Sequence, residues 1–163
     1  MDVPLEHCFP PVVRPDTRLL VLGSLPGAMS LAAGRYYANP RNQFWRLMES
    51  VIDRPLADAD YDQRLALLLD AGVGLWDTVA AAQRPGSLDA DIRLHAASDL
   101  QALVATVPRL RAMAFNGGTS ARVGRRQIGD TKLALVDLPS SSPAYTLPFD
   151  EKRARWLALR RYL

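Results

Sequence analysis

The residues best equipped for chemistry occupy one continuous loop. Gly23-Ser24-Leu25-Pro26-Gly27 closes an apolar run, and the chain continues through Ser30 and Gly34 to Tyr36-Tyr37-Ala38-Asn39-Pro40-Arg41-Asn42-Gln43-Phe44-Trp45. The glycines permit close backbone approach by a ligand, although a tight strand-to-loop turn would use the same residues. Asn39 and Asn42 are polar but only weakly basic. A carboxamide can accept a hydrogen bond from water through its carbonyl and donate to a substrate through its NH2, so it orients rather than deprotonates. Asn42, beside a helix start, is equally suited to bonding backbone N–H groups. A GKS or GKT sequence is absent, which removes a P-loop nucleotide site. Further along, Phe115-Asn116-Gly117 ends another apolar run, and Leu138 leads into Pro139-Ser140-Ser141-Ser142-Pro143-Ala144-Tyr145-Thr146.

Composition bounds the scaffold that must hold these loops. The 163 residues fit one ordinary domain, residues 1–163, with 48% hydrophobic and 23% charged residues, the balance of a soluble globular chain. Apolar runs are too short to span a bilayer, and the amino terminus carries acidic and proline residues where a secretory signal would be basic, so a cytoplasmic address is expected. Cys8 is the one cysteine and His7 and His95 the two histidines. Neither a disulfide nor a structural zinc site follows from that set, and the expected chemistry needs no cofactor or metal. All three read as packing or surface residues. Net charge is +3, with basic residues at Arg122, Arg125, Arg126 and Lys132 and again from Lys152 to Arg161. Such clusters suit a polyanion, and they suit solvated helix faces equally.

The elements follow from hydrophobic period. Residues 18–23, RLLVLG, form a short continuous apolar run of the kind found in buried parallel strands. Helical spacing marks Pro40 to Ile52 and Tyr61 to Ala71, the second closed by Gly72 and followed by a strand over Val73–Trp76. Gln83 to Asp91 reads as a loop. Ser98 and Gln101 have capping-box spacing for a helix running towards Val107. Two further strands are expected at Leu110–Phe115 and Lys132–Leu138, with a basic helix between them, and Asp150 is expected to cap a final helix. Strands and helices alternating at this length predict an α/β domain of three α/β/α layers around a mostly parallel sheet. Ligands in such sheets bind beyond the carboxyl ends of the strands, here after Leu22, Phe115 and Leu138.

GSLPG followed by YYANPRNQFW resembles the first motif region of the uracil-DNA glycosylase superfamily, particularly its mismatch-specific uracil and thymine enzymes, which carry GINPG and a later NxFW. FNG at Phe115 to Gly117 is similar to the superfamily's base-reading strand end, and LPSSSPAYT at Leu138 to Thr146 to its second catalytic loop. These three motifs, in order, cover nearly the whole chain. Serine in GSLPG, the YYANPRNQFW string, and the WD and RPGSLDADIR stretches between Trp76 and Arg93 resemble the hypoxanthine-DNA glycosylase branch. Other branches place an Asn or Asp where this chain has Leu25. Ser24 is too short to replace a carboxylate base.

The resemblance implies a monofunctional glycosylase acting on double-stranded DNA that contains a deaminated base, working as a monomer, with a uracil or G:U mismatch enzyme as one alternative and a non-catalytic nucleic-acid or nucleotide-binding module as another. Ser24 and Asn39 are then the catalytic candidates, with Asn39 steering water. Gly23, Leu25, Pro26, Gly27, Tyr37, Asn42 and Asn116 would contact substrate. Tyr37 takes the position of the aromatic that stacks on the extruded base, while Tyr36 belongs to the core. Asn116 either reads the base or bonds the loop backbone. Ser140, Ser141, Ser142 and Pro143 would grip the DNA backbone, or form a serine-rich turn with no ligand. Ala144 is small for a wedge into the base stack, and Tyr145 is the substitute. Trp76 and Asp77 would anchor the sheet end near the pocket, with Trp76 in the core.

Overall fold

The computed structural model describes residues 4–84 and 92–163. Its centre is a sheet of four parallel strands in the order β3-β2-β6-β7, formed by β2 (Leu19–Gly23), β3 (Val73–Asp77), β6 (Ala112–Asn116) and β7 (Ala134–Leu138). Every residue of β2 is buried, as its unbroken apolar run requires of a strand covered on both faces. The strand's two-residue period sends its side chains alternately to two cores. Leu19 and Val21 join Phe44, Leu47, Met48 and Trp156 on one side. Leu20 and Leu22 join Leu100, Leu103, Phe115 and Ile128 on the other. Helices α2 (Phe44–Ile52), α3 (Tyr61–Asp70) and α6 (Phe149–Trp156) cover the first face, and α4 (Leu100–Ala105) and α5 (Gly118–Ile128) the second. Each fully buried large aliphatic side chain in these cores contributes about 1.5–3 kcal/mol.

A short helix, α1 (Ala28–Ala33), interrupts the loop after β2 and ends at Gly34 with a left-handed residue. A second sheet, antiparallel and in the order β1-β4-β5, comprises β1 (Leu5–His7), β4 (Val79–Gln83) and β5 (Arg93–Ala97). None of these four elements follows from the sequence reading. Gln83 ends β4 instead of opening a loop, and residues 85–91 of the expected loop and of the RPGSLDADIR motif lie outside the described residues, as does the His95 side chain.

Three helix starts differ from expectation, the first two through local hydrogen bonds. Helix α2 begins at Phe44 rather than Pro40, because Asn39 Oδ1 accepts from Arg41 N and Asn42 Oδ1 from Phe44 N, folding residues 39–43 into successive turns. Helix α4 is capped by Asp99, whose side chain accepts from Ala102 N. Ser98 is not a cap, since its hydroxyl donates to Asp77 O at 2.6 Å and ties β5 to the end of β3. The last helix starts after Pro148, which leaves Asp150 inside the first turn, where a carboxylate favours the positive helix end. Among the described residues no helix is long and apolar enough to cross a membrane.

The loop after β2 leads to helices on one face of the sheet, whereas α5 leaves β6 on the other. Adjacent strands whose connections diverge open a crevice at their carboxyl ends. Close packing of α5 keeps that edge in register. A Cβ built on Gly124 would collide with the Phe115 ring and stand 3.0 Å from Thr78 Cγ2. Gly124→Ala should therefore lower stability by about 1–3 kcal/mol, read as a reduced midpoint in urea titration; an unchanged midpoint would show that α5 can slide away freely.

Candidate active site

The crevice holds a cavity of about 240 Å³. Pockets for drug-sized ligands run to about 300–1,000 Å³, so this one suits a single planar ring system. Its walls come from the three loops singled out by sequence. Gly23, Ser24, Leu25, Pro26 and Gly27, then Tyr37, Asn39 and Asn42, then Asn116, and finally Ser140, Ser141, Ser142, Pro143 and Ala144 all line it. Tyr145 does not. It lies 46% exposed beyond the rim, with Lys152 Nζ 5.4 Å from its ring centroid.

Tyr37 is held in a conformation its side chain resists. Its φ is +52°, a left-handed value that costs a bulky residue about 1–3 kcal/mol. Trp45 Nε1 donates to Tyr37 O, and Ser30 Oγ accepts from Ala38 N, fixing the backbone on both sides. The ring stacks on Phe44 at a 3.8 Å centroid separation and 11° between planes, so one face is covered by the core. Residues strained in this way cluster at binding and active sites. Tyr36 is core, as expected. It is 4% exposed, its phenol donates to Pro10 O, and burial, with the nearby Asp77 carboxylate second, pushes its pKa far up.

Asn116 and Ser141 bond each other reciprocally. Ser141 N donates to Asn116 Oδ1 and Asn116 Nδ2 to Ser141 Oγ, both at 2.9 Å. The Ser141 hydroxyl in turn donates to Asn42 Oδ1 at 2.7 Å, while Asn116 Nδ2 also reaches Tyr37 Oη at 3.4 Å. The loop-holding alternative for Asn42 and Asn116 is thus realised in the structure. Lys152, expected among surface cations, is instead 1% exposed. Its Nζ donates to Gln43 Oε1 and Ser142 O, and burial lowers its pKa. Asn39, which lines the cavity, spends one Oδ1 lone pair on Arg41 N and keeps the other lone pair and the NH2. Leu25 packs with Val79, Ala82 and Val123, which suits an aliphatic residue at this position. Trp76 is half-buried, with Nε1 donating to Phe9 O.

Two charged residues also line the pocket: Asp77, which the sequence placed near it only as an anchor of the sheet end, and Arg84, which had no role there in the sequence reading. Asp77, 3% exposed, ends β3. A Cβ on Gly23 would stand 2.6 Å from Asp77 Oδ1 and 3.1 Å from Tyr37 Oη, so glycine at 23 allows carboxylate and phenol to converge on the strand end. The strand-end rule applied to Val73–Trp76 carries Asp77 from sheet anchor into the cavity itself. Arg84, 3% exposed, follows β4 and had no such signal, because β4 itself was not anticipated. Its Nη2 donates to Glu6 Oε2 at 2.7 Å and to Pro26 O.

Removing the Ser141 hydroxyl takes a bond from Asn116 Nδ2, which keeps the 3.4 Å contact to Tyr37 Oη, and from Asn42 Oδ1, which keeps Phe44 N. Ser141→Ala should cost about 1–3 kcal/mol of stability; thermal unfolding that matches the parent would show that the two loops are held by other means.

Comparison with known proteins agrees with this geometry. The family model of the uracil DNA glycosylase superfamily matches residues 10–161. A protein of Methanosarcina acetivorans named hypoxanthine DNA glycosylase is 37% identical over 161 residues, covering 97% of this chain and 99% of its own. A protein of the same name from Methanosarcina barkeri is 35% identical over 151 residues, covering 91% and 93%. A solution NMR structure of a Methanosarcina acetivorans protein superposes with a TM-score of 0.85 at 35% identity, covering 97% of this chain and 98% of its own. The α/β architecture and the near-complete coverage on both sides leave one assignment: the chain belongs to the uracil DNA glycosylase superfamily.

Proposed function

We propose that this chain, as one catalytic domain, hydrolyses the N-glycosidic bond of a deaminated nucleotide in double-stranded DNA, with hypoxanthine as the base removed. It would act as a monomer in the cytoplasm. The observation that carries the reading is the convergence of a strained aromatic wall at Tyr37 with Asn39, Asn42, Asn116 and Asp77 around one cavity of nucleobase size. The choice of hypoxanthine rests on the two relatives that bear that name.

A base within the duplex is out of reach and must be extruded. Stacked on Tyr37, it gains about 1–3 kcal/mol. The bond from C1′ to the base nitrogen breaks with its electron pair leaving on the base, and the sugar acquires oxocarbenium character. Water adds its oxygen to C1′ and loses a proton, the base nitrogen takes up a proton, and the products are free base and an abasic deoxyribose. Asn39 has an Oδ1 lone pair to accept from that water and an NH2 to hold the sugar or base. The Asp77 carboxylate, buried in the same cavity, supplies the negative charge that opposes the developing cation. The Ser140 to Pro143 segment lies at the cavity wall, where hydroxyls can meet flanking phosphates.

Purified protein should release free hypoxanthine from a labelled inosine duplex, with a uracil duplex run alongside. Absence of release from folded protein on either substrate would favour a binding module, and release of uracil alone would favour the uracil enzyme. Asn39→Ala should lower the single-turnover rate by about a hundredfold or more while affinity for the same duplex changes less than about threefold. Equal losses in rate and affinity would assign Asn39 to binding alone.

A further inference from the structure

Arg84 keeps much of its hydrogen-bonding capacity unspent within the cavity. Its side chain is 1% exposed and lines the cavity, yet Nε and Nη1 have no hydrogen-bond partner among the described residues. Nη2 alone is engaged, by Glu6 and by the Pro26 carbonyl of the GSLPG loop. A guanidinium carries five N–H donors and no acceptor, so the three on Nε and Nη1 are buried without a mate. Donors left in that state destabilise the fold, and their retention in a native structure calls for a functional explanation, of which an acceptor on a ligand is one.

We propose that Arg84 is a specificity-determining contact to the extruded base, its unpartnered N–H groups donating to the carbonyl oxygen that deamination creates. This rests on the glycosylase reading above and names the group that senses the lesion. Deamination converts an exocyclic amine, a donor, into a carbonyl, an acceptor. A donor-only side chain matches the carbonyl and leaves the parent amine facing it without a bond. In a buried site such a mismatch discriminates strongly, because both polar groups lose water and gain nothing. The contact also tightens during reaction, since the departing base spreads negative charge onto that same oxygen.

Two observations favour the base over a phosphate. The guanidinium is buried beside Pro26, whereas phosphates stay on the DNA backbone at the mouth, near exposed Pro143 and Ala144. Glu6 at 2.7 Å already balances its charge, which suits a neutral carbonyl better than an anion.

The test uses the full chain and two duplexes made resistant to cleavage by a 2′-fluoroarabino sugar, one bearing hypoxanthine and the other unsubstituted purine, which lacks the carbonyl. The parent protein should bind the hypoxanthine duplex about tenfold or more tightly. Arg84→Lys keeps a cation for Glu6 and Pro26 but loses the planar donors; it should bind both duplexes alike, with purine affinity within about threefold of the parent. Glu6→Gln should keep the preference. A parent protein without preference, or an Arg84→Lys variant that retains it, overturns the proposal. Equal weakening on both duplexes also overturns it, by assigning Arg84 to phosphate or to loop support. Hypoxanthine release from the cleavable duplex by the parent protein is scored separately, so that failure of the Arg84 contact and failure of the glycosylase reading give different results.

Discussion

The reciprocal bonding of Asn116 with Ser141 is the constraint from which the site takes its shape. Parallel strands β6 and β7 end side by side, and these bonds of 2.9 Å turn two strand ends into one surface. The Ser141 hydroxyl extends that surface to Asn42, and Gln43 N donates to Ser141 O at 3.0 Å. Loops that are about a hundred residues apart in sequence are thereby locked at the start of α2, and the same hydroxyl that closes one bond opens the next. Hydrogen bonds linked in this way in a buried setting reinforce one another, and the loss of any member exposes several polar groups at once.

From that lock the pocket follows. Helix α2 begins where Asn42 permits, and its first residue, Phe44, presents the ring on which Tyr37 lies. Tyr37 can sustain a left-handed backbone because Trp45, Ser30 and Phe44 hold it from three directions. On the opposite side, Thr78 N donates to Gly23 O and Val79 N to Ser24 O, fastening the GSLPG loop to the corner between β3 and β4. That corner carries Asp77 and leads to Arg84. The cavity is therefore bounded by rigid sheet ends and by a turn with little freedom, the arrangement a site needs to hold a base and a sugar in fixed relation.

The sheet was legible because buried parallel strands leave short unbroken apolar runs, and LLVLG, VGLW and the run before Asn116 are such runs, while the edge strand ALVDL is half-buried and broken by Asp137. The lining residues were legible for a related reason, since a strand end directs whatever follows it into the crevice. What escaped was governed by partners distant in sequence. Strand β4 reads VAAAQ, with no polar alternation to mark a strand, and becomes one by pairing with β1 and β5. Arg84 followed it out of view. Lys152 looked like one cation of a basic surface, and only the fold shows Gln43 and Ser142 waiting for it. Ser98 had the spacing of a cap, but the backbone carbonyl of Asp77 claimed its hydroxyl.

The most direct test of how the site works is a crystal structure with duplex DNA bearing a non-hydrolysable inosine analogue. The account predicts the extruded base lying on the face of Tyr37 opposite Phe44, with Asn39 within hydrogen-bond reach of a water beside C1′. A base seated elsewhere, or Tyr37 and Asn39 turned towards different cavities, would contradict it.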